Sequence, residues 1–406
     1  MQNRETKKRF NLPDEIKFCK RCTMSNQRPR ITFDDEGICS ACRFAEYKNF
    51  VVDWDERDKE LRALCDKHRS KDGSYDVVVP SSGGKDSGFV AHKLKEEYGM
   101  HPLTVTWAPA LWTDDGMRNY ENHIVDGGLD NVMAKPSGIT HKLLTKLSFE
   151  LQGDPFMPFN YGQYNMPLRT AVERKIPLIM YGENSEVEYG GSMKHAYHPD
   201  VPIKDIELMN WHGFTIDVLK KYGLKESDLQ IYRRPTQKDI DKVGVQIHYM
   251  GYFTKWIPQV NYYYCAENTG FIPYYKRSEG TYSKYASIDD RLDGFHYYLM
   301  YIKFGIGRAT SDSAHEVRDG HITREEAAGL VKRFDGEFPW DNYQTFLNYC
   351  DINDEFFWKV VDSWRSPHIW DKKDGKWALK KAVWHEEALK EAAEPAPKIK
   401  ACKITK

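Results

Sequence analysis

Long apolar runs are missing from this chain. No stretch among its 406 residues approaches the ~18–20 apolar residues that a bilayer-spanning helix requires. The start, Met1-Gln-Asn-Arg-Glu-Thr-Lys-Lys8, has no apolar segment of the kind that makes a signal peptide. An excess of charge is missing too. Lys and Arg number 59 against 60 Asp and Glu, a formal net charge of −1, which argues against a bulk nucleic-acid binder. These absences lead us to expect a cytoplasmic protein that engages no membrane. The histidines, among them His195, His198, His212 and His248, show no metal-like spacing and read as ordinary polar residues. Cysteines are few, eight in all, and suit a reducing compartment if four of them hold a metal. Aromatic residues are plentiful at 14%, with 25 Tyr and 11 Trp, many of them between residues 156 and 301. A Tyr-rich core explains that in the plainest way, and a carbohydrate or nucleotide site explains it more sharply.

The most telling segment is Pro80-Ser81-Ser82-Gly83-Gly84-Lys85-Asp86-Ser87, directly after Tyr75-Asp76-Val77-Val78-Val79. A β-branched run, a Gly-rich turn and a helical pattern (Phe89, Val90, Leu94) make a phosphate cradle. Glycines let the backbone approach an anion, hydroxyls and N–H groups donate to it, and the helix N-terminus adds its dipole. The Walker A spacing is absent. The string resembles instead the SGGxDS loop of the PP-loop ATP pyrophosphatases, which bind ATP and cut between its α- and β-phosphates.

Cys19-Lys-Arg-Cys22 and Cys39-Ser-Ala-Cys42 form C-x2-C-x16-C-x2-C, the spacing of a four-thiolate zinc site. Arg30-Ile31-Thr32-Phe33 reads as a short strand and Asp34-Asp35-Glu36-Gly37 as its turn, which together make a zinc-ribbon hairpin. A piece of about 30 residues with so few apolar side chains needs the metal to fold. Four closed ligands imply a structural ion; an iron–sulfur or redox pair is the alternative. Cys65, Cys265, Cys350 and Cys402 are scattered and read as packing or surface thiols, with Cys265 a candidate pocket residue.

Strands are expected at 75–79, 103–107, 131–134 and 177–181, with helices near 87–98, 117–127, 138–151 and 165–175. That alternation predicts an α/β fold, a parallel sheet with helices on both faces, whose ligands bind beyond the carboxyl ends of the strands. Trp107, Trp112 to Asp115, Lys135 to Ser137, and Gly182 to Gly191 follow the strands. In the last of these, Glu183, Asn184 and Glu186 are acidic or polar at a strand end, which suggests magnesium beside a polyphosphate. The alternation is lost from about 192 to 280, which reads as an insertion or lid containing Trp211, His212 and His248. A helix marked by Ile288, Leu292, Phe295, Leu299 and Ile302 should end at Gly305. Lys303 and Arg308 flank its glycines, suited to a leaving pyrophosphate or an anionic substrate. Thr323 with Glu326 reads as a capping box, and helices are expected to continue to about 392. The expected organisation is a zinc ribbon (15–45), a PP-loop ATP pyrophosphatase domain (46–191), an aromatic-rich substrate region (192–285), a C-terminal helical region (286–390) and a flexible tail (391–406).

The order of these parts, with Asp53-Trp54-Asp55-Glu56-Arg57 and Lys303-Phe-Gly-Ile-Gly-Arg-Ala309, resembles the N-acetyl sugar amidotransferases of the WbpG and PseA type. These serve surface-polysaccharide and flagellin-glycan biosynthesis. The resemblance implies an acetamido group on a nucleotide-activated sugar becoming acetamidino through an O-adenylyl imidate. It also implies ammonia from partner subunits similar to the HisH–HisF pair, since no glutaminase nucleophile motif is evident. On this reading Ser81, Ser82, Gly83, Gly84, Lys85, Asp86 and Ser87 bind ATP, with Trp107, Glu183 and Asn184 alongside. Asp86 and Glu186 hold Mg2+, and Asp86, Lys303 and Arg308 serve catalysis. Cys19, Cys22, Cys39 and Cys42 hold Zn2+. A tRNA-thiolating PP-loop enzyme is the rival reading; it needs catalytic cysteines and a basic surface.

Overall fold

Val77, Val78 and Val79 alternate between two apolar layers and so place their strand at the centre of the molecule. The computed structural model describes residues 4–206 and 216–392. Five parallel strands run β1 (Val77–Pro80), β2 (Pro102–Trp107), β3 (Asp130–Ala134), β4 (Leu178–Tyr181) and β5 (Gln246–Tyr249). Their order in the sheet is β3-β2-β1-β4-β5. Val78 pairs with Leu103 on one side and Ile179 on the other. Val77 and Val79 face a core with Phe89, Leu94, Trp256 and Cys265, and Val78 faces one with Leu168, Ala171 and Ile247. Both faces are covered, as parallel sheets require. The chain leaves β1 toward β2 and β3, then returns to β4 and β5 on the other side. The switch point, where ligands bind in such sheets, lies between the carboxyl ends of β1 and β4.

β5 falls within the stretch expected to be an insertion, which corrects that expectation. Its four residues are too short to show a period, and only Gln246 is exposed. The charged stretch after the cysteines is two helices, Ser40–Phe50 and Trp54–His68, the second capped by Asp53. Trp211 and His212, the tail from 393 and Cys402 lie outside the described residues.

The C-terminal region is largely helical. Phe149, Phe295, Phe346, Phe357 and Trp364 share one aromatic core, so the helix Gly138–Gln152 ties this region to the sheet. The helix Asp293–Phe304 ends at Gly305, whose φ of +65° takes the left-handed cap. The Thr323–Glu326 capping box is present. Helices do not continue unbroken to 392. Trp370–Lys373 and Lys376–Leu379 form an antiparallel hairpin (β6, β7) around Asp374-Gly375, both with positive φ.

The four cysteines come together: their sulfurs all lie within 4.8 Å of one another, and all four residues are buried. Cys19 and Cys42 sulfurs are 3.8 Å apart, as are those of Cys22 and Cys39. The amides of Arg21 and Met24 donate to the Cys19 and Cys22 sulfurs, the knuckle geometry expected of thiolate ligands. The donor set and its spacing fit a tetrahedral zinc. The expected strand at Arg30–Phe33 reduces to one bridge, Phe33 to Cys39, because Arg30 takes a positive φ. The module does not stand alone. Arg324 donates to the carbonyls of Cys19 and Cys22, and Arg318 lies against the Cys22 sulfur, so two C-terminal cations face the thiolates.

Zinc should therefore co-purify at about one ion per chain, and Cys22→Ser should lower both zinc content and Tm by several degrees. Metal analysis and calorimetry check this. A zinc-free protein with an unchanged Tm would refute it.

Candidate functional site

The loop after β1 is built to leave its backbone open. Gly83 sits at φ +87°, and a Cβ there would lie 2.5 Å from the Tyr120 Cα, so both backbone conformation and space demand glycine. Its amide donates to the Ser81 hydroxyl (3.4 Å), Ser81 donates to Ser87 (3.1 Å), and Ser87 donates to the Gly84 carbonyl (2.9 Å). Gly84 then caps the helix Lys85–Glu96, whose N-terminus faces the switch point. Ser81 is thus a buried brace of the loop, and it does not reach the cavity.

A cavity of about 310 Å³ opens in front of this loop, large enough for a small organic ligand. Ser82 to Ser87 line one side, and Glu183 and Ser185 from the end of β4 line another. Lys85 is buried, its ammonium 2.6 Å from the Asp86 carboxylate and 5.6 Å from the Tyr285 ring centre. Burial, then the Asp86 charge, push the Glu183 carboxyl up to about 8, against the pull of Lys85. Tyr164, Tyr181 and Tyr249 form an aromatic wall at the ends of β4 and β5, with ring centres 5.4 and 5.9 Å apart.

The remaining wall comes from a distant part of the chain, Tyr285 to Asp289 and Asp293. Asp290 carries it there. Its carboxylate accepts the amides of Ala110 (2.5 Å), Leu111 (3.3 Å) and Leu292 (2.9 Å), and Trp112 and Asp290 form a bridge. The Thr113 amide donates to the Asp289 carbonyl (3.0 Å), and Gly116 packs against Asp289 so closely that a Cβ would sit 2.5 Å from its Cα. Ser82 and Asp289 both line this cavity, and Ser82 eases the Asp289 carboxyl down against the rise that burial causes. Burial raises both Asp289 and Asp293 above the usual carboxylate range.

Several expected site residues lie elsewhere. Trp107 is buried against Tyr232, and a Cβ on Gly162 would overlap its indole, which leaves no face for adenine. Asn184 caps the short helix Ser185–Tyr189 by accepting the Glu186 amide. Glu186 accepts a two-pronged pair from Arg30 (3.0 and 2.5 Å) and the Ser192 amide (2.7 Å), so its lone pairs serve the ribbon rather than a cation in the cavity. Lys303 is buried among Phe10, Phe304 and Trp364 and donates to the Gln152 carbonyl. Burial lowers it to about 8, and it is remote from the phosphate loop's cavity. Arg308 lies close by: it pairs with Asp312, donates to Ser287 (2.9 Å) and lies over the Tyr297 ring. Asp289, Asp293 and the three tyrosines are site residues that the sequence reading did not single out. The run of carboxylates at 289–293 was the local signal for the two aspartates, and the aromatic-rich stretch between 156 and 301 that for the tyrosines.

Residues 279–383 match the family model described as the C-terminal domain of LPS biosynthesis protein WbpG-like proteins. This segment is similar to that C-terminal domain over about a quarter of the chain. It supplies the Tyr285–Asp289 and Asp293 wall, and its helices carry Arg318 and Arg324 to the cysteine cluster. No curated protein matches the chain. Among solved structures, the NH3-dependent NAD synthetase from Campylobacter jejuni subsp. jejuni NCTC 11168 in complex with the nitrate ion is similar at 13% identity. That likeness covers 56% of this chain and 100% of that one with a TM-score of 0.28, too loose to argue chemistry from.

Among the described residues no cysteine lines the cavity. Cys265 donates to the Lys85 carbonyl from behind the loop, and burial pushes its thiol and that of Cys65 up to about 12. Neither thiol is poised for sulfur transfer.

Gly83→Ala should weaken Mg-ATP binding at least about tenfold in calorimetric titration while the circular dichroism spectrum is retained. Equal affinity would mean that the loop does not contact the nucleotide. The pH dependence of stability has a definite sign. Between the ordinary glutamate value of 4.5 and about 8, the folded chain keeps a proton on Glu183 that the unfolded chain has lost. Stability therefore falls as pH rises through that window. Glu183→Gln should raise Tm relative to wild type more at pH 8 than at pH 5; a constant difference would show that Glu183 is ionised throughout.

Proposed function

We propose that this protein is an ATP-dependent amidotransferase that converts an acetamido group of a nucleotide-activated sugar to an acetamidino group. Ammonia would come from partner subunits similar to the HisH–HisF pair, and the product would enter surface-polysaccharide or flagellin-glycan biosynthesis. One observation carries the reading: the SGGKDS loop and the segment that matches the WbpG-like C-terminal domain line a single cavity.

The chemistry follows from what an amide lacks. Its oxygen is a poor leaving group and its carbon a poor electrophile. Attack of the amide oxygen on the α-phosphate of ATP releases pyrophosphate and gives an O-adenylyl imidate. Ammonia then adds to the imidate carbon and AMP departs. Catalysis of this kind is positioning and charge neutralisation. The open backbone at Gly83 and Gly84, the Ser82 and Ser87 hydroxyls and Lys85 suit the phosphates, with Asp86 and Glu183 the carboxylates placed to share a magnesium ion with them. Tyr164, Tyr181 and Tyr249 offer flat faces and phenols to a sugar or base. The buried, high-pKa thiols weigh against the thiolation reading.

Pyrophosphate release from Mg-ATP with ammonium, assayed across UDP- and CMP-linked acetamido sugars, tests the proposal. Release should depend on one sugar, and the product should show the mass change of exchanging O for NH. Release with unmodified tRNA and a sulfur donor, and none with any sugar, would replace it by thiolation.

A further inference from the structure

One wall of the nucleotide cavity carries no charge. Tyr181 and Tyr249 are register partners at the ends of β4 and β5. The helix Met157–Arg174 adds Phe159, Gln163 and Tyr164, with Phe156 at its N-cap, and all six residues line the cavity. Phe156, Phe159 and Gln163 follow the i, i+3, i+7 spacing of one helical face, so they are presented together. The Tyr181 phenol donates to the Gln163 carbonyl (3.4 Å), which ties that face to the end of β4. The charged lining residues come instead from the phosphate loop, from Glu183 and from Asp289 and Asp293. A phosphate finds no cation on the uncharged wall, which suits the neutral part of a ligand.

The ring planes of Tyr164 and Tyr181 are 30° apart, and those of Tyr181 and Tyr249 are 34° apart. Rings in contact leave no slot between them for a flat base to enter. They offer one broad surface, on which the C–H face of a pyranose can lie with its hydroxyls near the phenols. Gln163 supplies what the rings lack. It is half-buried, and its carboxamide has no hydrogen-bond partner among the described residues. A trans secondary amide carries its N–H and C=O on opposite edges. A side chain that accepts the N–H therefore leaves the amide oxygen free on the far edge.

We infer that this wall is the subsite for the acetamido sugar and that Gln163 is its specificity-determining residue, the carboxamide oxygen accepting the acetamido N–H. The inference rests on the amidine-forming reading and deepens it by dividing the cavity: the phosphates of ATP go to the loop and the sugar to the aromatic wall. The bond leaves free the oxygen that must attack the α-phosphate. It also favours the positive charge that the amide nitrogen gains as that oxygen bonds to phosphorus.

Two sugar nucleotides that differ at one position test this: the acetamido sugar that supports pyrophosphate release, and its O-acetyl counterpart, which lacks the N–H. In calorimetric titration of the full chain, wild type should bind the acetamido form at least about tenfold more tightly. Gln163→Leu should reduce that preference to less than about threefold and leave Mg-ATP affinity unchanged. A side chain with a merely structural role would weaken both sugars equally. If Gln163→Leu does not fold, Tyr249→Leu decides; it should weaken the acetamido sugar at least about fivefold with Mg-ATP affinity unchanged. No preference in the wild type, an undiminished one in Gln163→Leu, or a loss of Mg-ATP affinity in either variant would overturn the subsite while leaving the amidine reading standing. No pyrophosphate release with any acetamido sugar would overturn both.

Discussion

The Asp290 carboxylate is the joint on which the site depends. It is buried, and three backbone amides converge on it, two from the remote loop after β2 and one from Leu292, two residues along its own segment. Burial holds it up to about 7 even so, because the amides repay only part of its lost hydration. A buried carboxylate with its hydrogen bonds made is costly to strip of them, so this contact fixes the register of the 285–293 segment across the carboxyl ends of the strands. Bonds from Thr113 to the Ile288 and Asp289 carbonyls add to it in seating the segment that lines the cavity.

A second set of buried charges holds the opposite side. Lys48, from the helix after the cysteines, pairs with Glu188 at 2.7 Å and donates to the Trp256 carbonyl. Arg318 donates to the Glu188 carbonyl and reaches the Cys22 sulfur. The segment after β4 is therefore tied at once to the ribbon and to the C-terminal helices. Buried pairs of this kind add little net stability but penalise any arrangement that separates them. The ribbon acts on the site through this network, as a clamp on the loop that carries Glu183.

What could be read in the sequence was what local chemistry dictates. The Val77–Val79 run, the glycines after it, the paired cysteines and the Thr323 capping box each owe their form to their own few residues, and the structure has each in place. Glu186, Asn184, Trp107 and Lys303 misled because position after a strand, or beside glycines, does not say which way a side chain turns. Arg30 claims Glu186, and the absent side chain of Gly162 lets Trp107 pack inward; both partners are remote in sequence. β5 escaped because four residues are too short to show a period. Asp289 and Asp293 were visible as charges, but their place in the cavity wall depends on the Asp290 joint, a contact across 180 residues.

The cavity's own charge constrains how it can be filled. Its wall carries the carboxylates of Asp86, Glu183, Asp289 and Asp293 against the single ammonium of Lys85, which Asp86 already engages. A triphosphate entering alone would meet net repulsion in a site where burial strengthens every charge. Two responses are open to the protein. Burial favours the neutral forms of Glu183, Asp289 and Asp293, which lessens the repulsion. Alternatively a cation enters with the nucleotide and turns those carboxylates from a barrier into ligands. An acidic cradle around this loop thus favours a ligand that brings its own cation over a bare polyanion.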